Sequence, residues 1–246
     1  MQATILCGGQ STRLRPVWEG AKSCVPVLGR PFIHWQLDRL EAAGITHVVL
    51  LTGHMRDDVM RAVDKWNGDL GIAEMRDASD RLPEGMSWGT GHSIRHACEK
   101  LESPSLLVYG DVYPRGDITL PLRMARNGRV VFSVSRATNG QGNVTLDHPG
   151  EMAFDWKGSP TGRVRKAKDY GMKSMWLEAG CMAIHPQYFR KLSPLHRRRL
   201  EDWLVAFCQA GIVDACEVPA SLDVGTPEGL AECKRQLGVR DKRRHA

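Results

Sequence analysis

The 246-residue chain has no apolar run near the roughly 20 residues a helix needs to cross a bilayer, so no membrane span is expected. Its first residues, Met1 to Leu6, carry no basic stretch and pass directly into a Gly-rich turn. No secretory signal is read there, and a cytoplasmic location is expected. Seven cysteines are scattered along the chain without a single C-x-x-C pair, which argues against a zinc site and against a disulfide framework. They are expected as reduced, mostly buried thiols. Three common motifs are also missing: the G-x-x-x-x-G-K-[ST] loop, the dinucleotide G-x-G-x-x-G, and H-E-x-x-H. His92 and His96 stand at i and i+4, but without a third ligand they read as an ordinary helix face. No repeat, low-complexity segment or linker divides the chain. Residues 1–246 are therefore expected to form one domain.

What is present is ordinary globular composition, 42% hydrophobic and 25% charged, with a formal net charge of +6. A basic balance suits nucleic acid or small polyanions equally. The basic clusters at His196–Arg199 and Arg240–His245 are short and carry no interleaved aromatics. They read as a solvated helix start and a basic tail over residues 239–246, so no nucleic-acid partner is expected. Short apolar runs alternate with amphipathic stretches in the first half. Strands are read at Ala3–Cys7, His47–Leu51, Gly71–Met75 and Leu106–Tyr109, and helices at Ile33–Leu40, Asp57–Trp66 and His92–Leu101. The pattern predicts an α/β fold with a Rossmann-like, mixed but mostly parallel sheet flanked by helices. Strands end at Gly8, Gly53 and Gly110, and ligands of open α/β sheets bind at that carboxyl edge. The second half predicts strands at Arg129–Val134 and Trp176–Ile184 and a hairpin-like pair at Asn143–Leu146 and Met152–Trp156. Helices are expected at Pro186–Leu192, Leu200–Ala210 and Pro227–Leu237.

After the first strand comes Gly8-Gly9-Gln10-Ser11-Thr12-Arg13. Consecutive glycines allow a tight turn whose N–H groups form an anion-binding concavity. Arg13 adds a multi-donor contact to phosphate oxygens. The loop alone implies only phosphate binding.

Further blocks follow in order: Ala21-Lys22-Ser23-Cys24-Val25-Pro26-Val27 with Gly29-Arg30-Pro31-Phe32-Ile33, then Trp88-Gly89-Thr90-Gly91, Tyr109-Gly110-Asp111, Leu177-Glu178-Ala179-Gly180 and Asp223-Val224-Gly225-Thr226-Pro227-Glu228. Together they resemble the sugar-1-phosphate nucleotidylyltransferases (NDP-sugar pyrophosphorylases) along nearly the whole chain. The resemblance implies the nucleotide-diphospho-sugar transferase type of fold and transfer of a nucleotidyl group from a nucleoside triphosphate to a sugar 1-phosphate. An NDP-sugar, in one version GDP-heptose-like, and pyrophosphate would be the products. It further implies Mg²⁺ as cofactor, held by Asp111 and Asp223, with Arg13 and Lys22 as the catalytic cations. Leu6, Gly8, Gly9, Ser11, Thr12, Gly89, Thr90 and Gly110 would contact the nucleotide, and Lys168, Glu178 and Gly180 the acceptor. The nucleotide-binding half would cover about residues 1–125 and the acceptor-binding half about 126–238.

Each assignment has a plainer alternative. The alternative for Asp111 is a turn or capping residue, and for Asp223 a cap for the helix at Pro227. Ser11 stands where the family has Gly, so it either strains a positive-φ position or offers its hydroxyl to phosphate. The acceptor segment reads Val164-Arg165-Lys166-Ala167-Lys168-Asp169, with Ala167 in place of the family's acid and Lys166 competing with Lys168. That departure leaves room for a cytidylyltransferase acting on a non-sugar phosphate or phosphonate. A catalytically silent regulatory subunit is the third option, against which the joint presence of Arg13, Lys22, Asp111 and Asp223 counts. The expected partners are a nucleoside triphosphate and a phosphorylated small-molecule acceptor, with room left for a homo-oligomer.

Overall fold

A computed structural model of the protein describes residues 1–77, 89–125, 128–136, 144–148, 151–154, 176–191 and 200–244. The first half alternates as its sequence pattern dictates. It runs through β1 (Gln2–Leu6), the short pair β2 (Pro26–Val27) and β3 (Arg30–Pro31), α1 (Phe32–Glu41) and β4 (His47–Thr52). It continues through α2 (Arg56–Val63), β5 (Gly71–Arg76), α3 (Thr90–Ala97) and β6 (Ser105–Tyr109). The second half adds β7 (Val112–Tyr113), α4 (Leu120–Met124), β8 (Val130–Arg136), β9 (Val144–His148), β10 (Glu151–Phe154) and β11 (Trp176–Ile184). After these come α5 (Tyr188–Lys191), α6 (Leu200–Gln209), β12 (Val213–Glu217), β13 (Leu222–Asp223) and α7 (Pro227–Arg244).

Among the described residues nine strands form one mixed sheet in the order β10-β9-β11-β6-β1-β4-β5, with β8 beside β11 and β12 beside β8. Pairing is parallel from β6 through β1 and β4 to β5, with Ala3 opposite both Val48 and Leu106. It is antiparallel where β11 meets β6 and β8. Strands covered on both faces need apolar residues at every position, and β4 shows why. Val48 and Leu50 pack with Ile33, Leu37 and Leu40 of α1 and Val59 of α2. Val49 and Leu51 point the other way, to Ile94 of α3 and Trp203 and Phe207 of α6. Each such fully buried side chain contributes about 1.5–3 kcal/mol relative to exposure. Among the described residues no helix is long and apolar enough to cross a membrane. None of the seven cysteines is in a disulfide, and six of them are buried.

The structure corrects two boundaries. The helix expected from His92 begins at Thr90, which puts the Gly89-Thr90 pair at its N-terminus. The last helix runs to Arg244 rather than Leu237, so most of the segment read as a basic tail is helical. Residues 238–244 contain no proline and are rich in Arg and Lys, both good helix formers. The N-terminus of α7 is capped by Thr226, whose Oγ1 accepts from the Gly229 N–H at 3.1 Å, ahead of Pro227 at the first helical position. Thr226→Ala is expected to lower stability by about 1 kcal/mol, read from the midpoint of a urea titration at unchanged slope.

Candidate active site

The carboxyl ends of β1, β4 and β6 lie side by side, and the backbone there is packed too tightly for side chains. A Cβ on Gly8 would stand 3.2 Å from the Gly53 nitrogen, and one on Gly110 would press into the Leu6 carbonyl. The Gly110 N–H donates to that same carbonyl at 3.1 Å. These glycines let the first loop and the Gly110-Asp111 turn meet over the sheet edge.

Beyond Gly9 the chain passes through Ser11 at φ 57° and a short 3-10 turn, Thr12–Leu14. Positive φ at a serine costs of order 1–3 kcal/mol, and a specific contact offsets it. The buried Ser11 Oγ accepts from the Lys22 N–H at 2.8 Å. Its hydroxyl is thus tied to the loop that carries Lys22. Ser11 and the exposed Thr12 are not among the residues lining the cavity described below. Lys22 lies across Gly9, where a Cβ would stand 3.5 Å from Lys22 Cε. Its Nζ donates to Asp111 Oδ2 at 2.6 Å, and the Arg13 guanidinium lies 4.0 Å from the same oxygen.

Asp223 reaches this cluster through the two-stranded ladder of β7 and β13, which sets Asp223 opposite Val112. The Val224 N–H donates to the Asp111 carbonyl at 2.8 Å, fixing the two segments together. Asp223 Oδ1 accepts from the Gly225 N–H two residues on, and Thr226 caps α7, so Asp223 is not the helix cap. A Cβ built on Gly225 would stand 2.8 Å from Asp223 Oδ1, 2.9 Å from Asp111 Oδ2 and 3.0 Å from the Arg13 guanidinium. Two carboxylates and a cation thus converge on one small space. Asp223 keeps solvent contact through the open side, yet the protein packed around its carboxyl raises its pKa. The neighbouring Asp111 charge adds to that rise, against the lowering effect of the Gly225 N–H, Arg13 and Lys22. A like-charge pair held this close suits a divalent cation. Among the described residues no cluster of three or more His, Cys, Asp or Glu forms. A two-carboxylate site is what Mg²⁺ commonly takes when substrate phosphates and water complete its shell.

These groups line a cavity of about 880 Å³. Leu6, Gly8, Gly9, Arg13, Lys22, Gly110, Asp111 and Asp223 line it, together with Glu178, Gly180 and Ser221. Gly180 interrupts β11 at φ 68°, between the two stretches that pair with β8, and a Cβ there would stand 2.7 Å from Val112. The Gly180 N–H donates to Glu178 Oε1 at 2.7 Å, which fixes that carboxylate in the cavity wall. Ser221 Oγ donates to the Ala179 carbonyl at 2.8 Å. Lys168 and its competitor Lys166 lie outside the described residues.

A smaller recess of about 80 Å³ opens beside Gly8 and Gly9 and is lined by Gln10, Asp77, Gly89, Thr90 and Ser93. Thr90 Oγ1 accepts from the Leu200 N–H at 3.1 Å, linking α3 to the start of α6. Asp77, to which the sequence assigned no role, is buried and accepts from the Ser93 hydroxyl. Its signal was its position directly after β5, at the same carboxyl edge as the other site residues.

Residues 3–198 match the family model described as the MobA-like NTP transferase domain. The chain is 34% identical over 131 residues to the mannose-1-phosphate guanylyltransferase of Mycobacterium tuberculosis, covering 52% of this chain and 35% of that protein. It is 30% identical over 162 residues to the glucose-1-phosphate thymidylyltransferase of Streptomyces antibioticus, covering 62% and 43% respectively. The chain thus spans less than half the length of these curated relatives. Its fold is shared with HddC from Yersinia pseudotuberculosis complexed with GMP-PN. That match has a TM-score of 0.76 and 22% identity over 96% of this chain and 99% of that one. The UTP-bound UGPase from Acinetobacter baumannii has it too, at a TM-score of 0.71 and 16% identity over 97% and 93%. By its sequence match over most of its length, this chain belongs to the MobA-like NTP transferase family.

Proposed function

We propose that the protein is a cytoplasmic, magnesium-dependent nucleotidylyltransferase that joins a nucleoside triphosphate to a sugar 1-phosphate, giving an NDP-sugar and pyrophosphate. The observation that carries this reading is the convergence of Arg13, Lys22, Asp111 and Asp223 beside a Gly-Gly loop, in a cavity of about 880 Å³ that Glu178 and Gly180 also line. The names of the relatives support the acceptor class, since mannose 1-phosphate and glucose 1-phosphate are both sugar 1-phosphates.

In the reaction a phosphate oxygen of the acceptor attacks the α-phosphorus, the new P–O bond forms, and the bond to pyrophosphate breaks. Two anions must approach, so the chain's work is positioning and charge neutralisation. The Gly8 and Gly9 backbone and Arg13 would hold the β- and γ-phosphates. Lys22, kept in place by its pair with Asp111 and by the Ser11 bond to its N–H, would bridge phosphates near the reacting centre. Asp111 and Asp223 would hold Mg²⁺, which when bound neutralises phosphate charge and orients the α-phosphate. Glu178 would accept from acceptor hydroxyls, with Gly180 leaving the backbone room for the sugar, and Lys168 or Lys166 would meet the acceptor phosphate. Gly89 and Thr90 would frame the base. Asp77 lines the recess beside Gly89 and Thr90 and offers the base a carboxylate, which suits guanine because its N1–H and N2 amino group are adjacent donors. We further propose that the nucleotide half, about residues 1–125, and the acceptor half, about 126–238, work as one domain.

The test is a screen of four nucleoside triphosphates against sugar 1-phosphates and other phosphorylated alcohols, scored by pyrophosphate release with Mg²⁺. Pyrophosphate together with an NDP-sugar is the expected result, with GTP the preferred donor. Release only with CTP and a non-sugar phosphate would replace the acceptor assignment. No release from any pair would sink the enzymatic reading.

A further inference from the structure

One buried side chain outside both substrate sites spans the Gly110-Asp111 turn. Gln36, on α1, is 1% exposed. Its Nε2 donates to the Tyr109 carbonyl at 2.8 Å and to the Val112 carbonyl at 2.6 Å. Those two carbonyls bracket Gly110 and Asp111, so a single amide group clamps both sides of the turn. The turn's other backbone bonds, from Gly110 to Leu6 and from Val224 to Asp111, tie it to β1 and to the segment after β13. With the ends, the amide and the carbonyl of this short stretch all held, the Cα–Cβ direction of Asp111 is fixed, and its Oδ2 is met by Lys22 Nζ at 2.6 Å.

Two details separate this arrangement from ordinary packing. The Gln36 Oε1 is buried and has no hydrogen-bond partner among the described residues, so the amide serves here through its donors. An apolar side chain of similar length would fill the same space without stranding an acceptor, but it would remove the donor that the Tyr109 and Val112 carbonyls share. One turn further along α1, Arg39 donates to the carbonyls of Pro114 and Gly116. The same face of the helix therefore holds the whole backbone stretch that follows β6.

We propose that Gln36 is a positioning residue: by clamping the Tyr109 and Val112 carbonyls it aims the Asp111 carboxylate and so sets the affinity for the divalent cation. The inference rests on the reading of Asp111 as a metal ligand. Partners that orient a ligand typically change metal affinity by about 10–100-fold when removed.

The test uses the full chain and Mn²⁺ as the probe, with free Mn²⁺ followed by electron paramagnetic resonance, alongside pyrophosphate release. Gln36→Met removes both donors at similar length. It is expected to weaken Mn²⁺ binding by about tenfold and to lower kcat, with KM for the triphosphate changed less than about twofold. Leu40→Ala, a core change on the same helix, is the control for helix packing: it is expected to lower the Tm while leaving Mn²⁺ affinity as in the wild type. Gln36→Asn, with the amide one methylene short, should shift Mn²⁺ affinity in the same direction, and it carries the comparison if the Met variant does not fold. Wild-type Mn²⁺ affinity in a folded Gln36 variant, with binding lost in Asp111→Asn, overturns the positioning role and leaves the metal reading intact. Unchanged binding in Asp111→Asn, or no binding by the wild type, overturns the metal reading and this inference with it.

Discussion

Asp111→Asn is expected to lower kcat by about a thousandfold, roughly 4 kcal/mol of lost transition-state stabilisation, while the protein remains folded. The substitution keeps the shape and one acceptor oxygen but removes a charge that two cations and one carboxylate now share. Lys22 loses a 2.6 Å partner, and Arg13 loses an attraction at 4.0 Å. Against those losses, Asp223 is relieved of the like charge that helps raise its pKa, so the carboxyl moves back toward its ordinary range. The opposing terms leave little net change in stability, because the Lys22–Asp111 pair is only part-buried. Catalysis has no such compensation, since a neutral amide is a poor ligand for a hard cation. Steady-state pyrophosphate release together with a thermal melt separates the two quantities. Activity above a tenth of wild type would remove Asp111 from the metal site.

The parts of this fold that the sequence reveals are those where one residue's environment is repeated by its neighbours. In β1, β4 and β6 all but the end positions are buried, so a mostly apolar run between turn residues marks the strand. The two-residue strands β7 and β13 carry no such pattern. The ladder they form depends on residues far apart in the chain, and it is this ladder that brings Asp223 to Asp111. The resemblance to a family supplied that pairing; spacing in the sequence could not. Gly180 is an intermediate case. A glycine inside a strand signals a bulge or a close approach, and here it is both. Ser11 shows the opposite limit. Its positive φ was an open alternative, but that its hydroxyl holds the Lys22 N–H follows only from where two loops meet. Asp77 and Gln36 carried no motif, because a buried polar residue is recognised by its partners, and those are set by tertiary structure.

Gly225 offers a way to disturb the site without disturbing the fold. The atoms that an alanine methyl would meet there, at 2.8 to 3.0 Å, are the ends of Asp223, Asp111 and Arg13. Ends of side chains can swing aside, so the Gly225→Ala variant is expected to keep its Tm within a few degrees of wild type. The case differs from Gly110, where the clash would be with the Leu6 carbonyl, a fixed part of β1. Nor is a backbone bond at stake, since alanine retains the N–H that donates to Asp223. What the methyl takes away is the common space toward which the two carboxylates point. They cannot both yield to it and still grip one cation, and a misplacement of about 1 Å at a reacting centre can cost on the order of a hundredfold in rate. Gly225→Ala is therefore expected to lose about a hundredfold in kcat, with weaker Mn²⁺ binding and unchanged stability. A variant that turned over at the wild-type rate would show that the space between Asp111 and Asp223 is not where the reaction's charge is held.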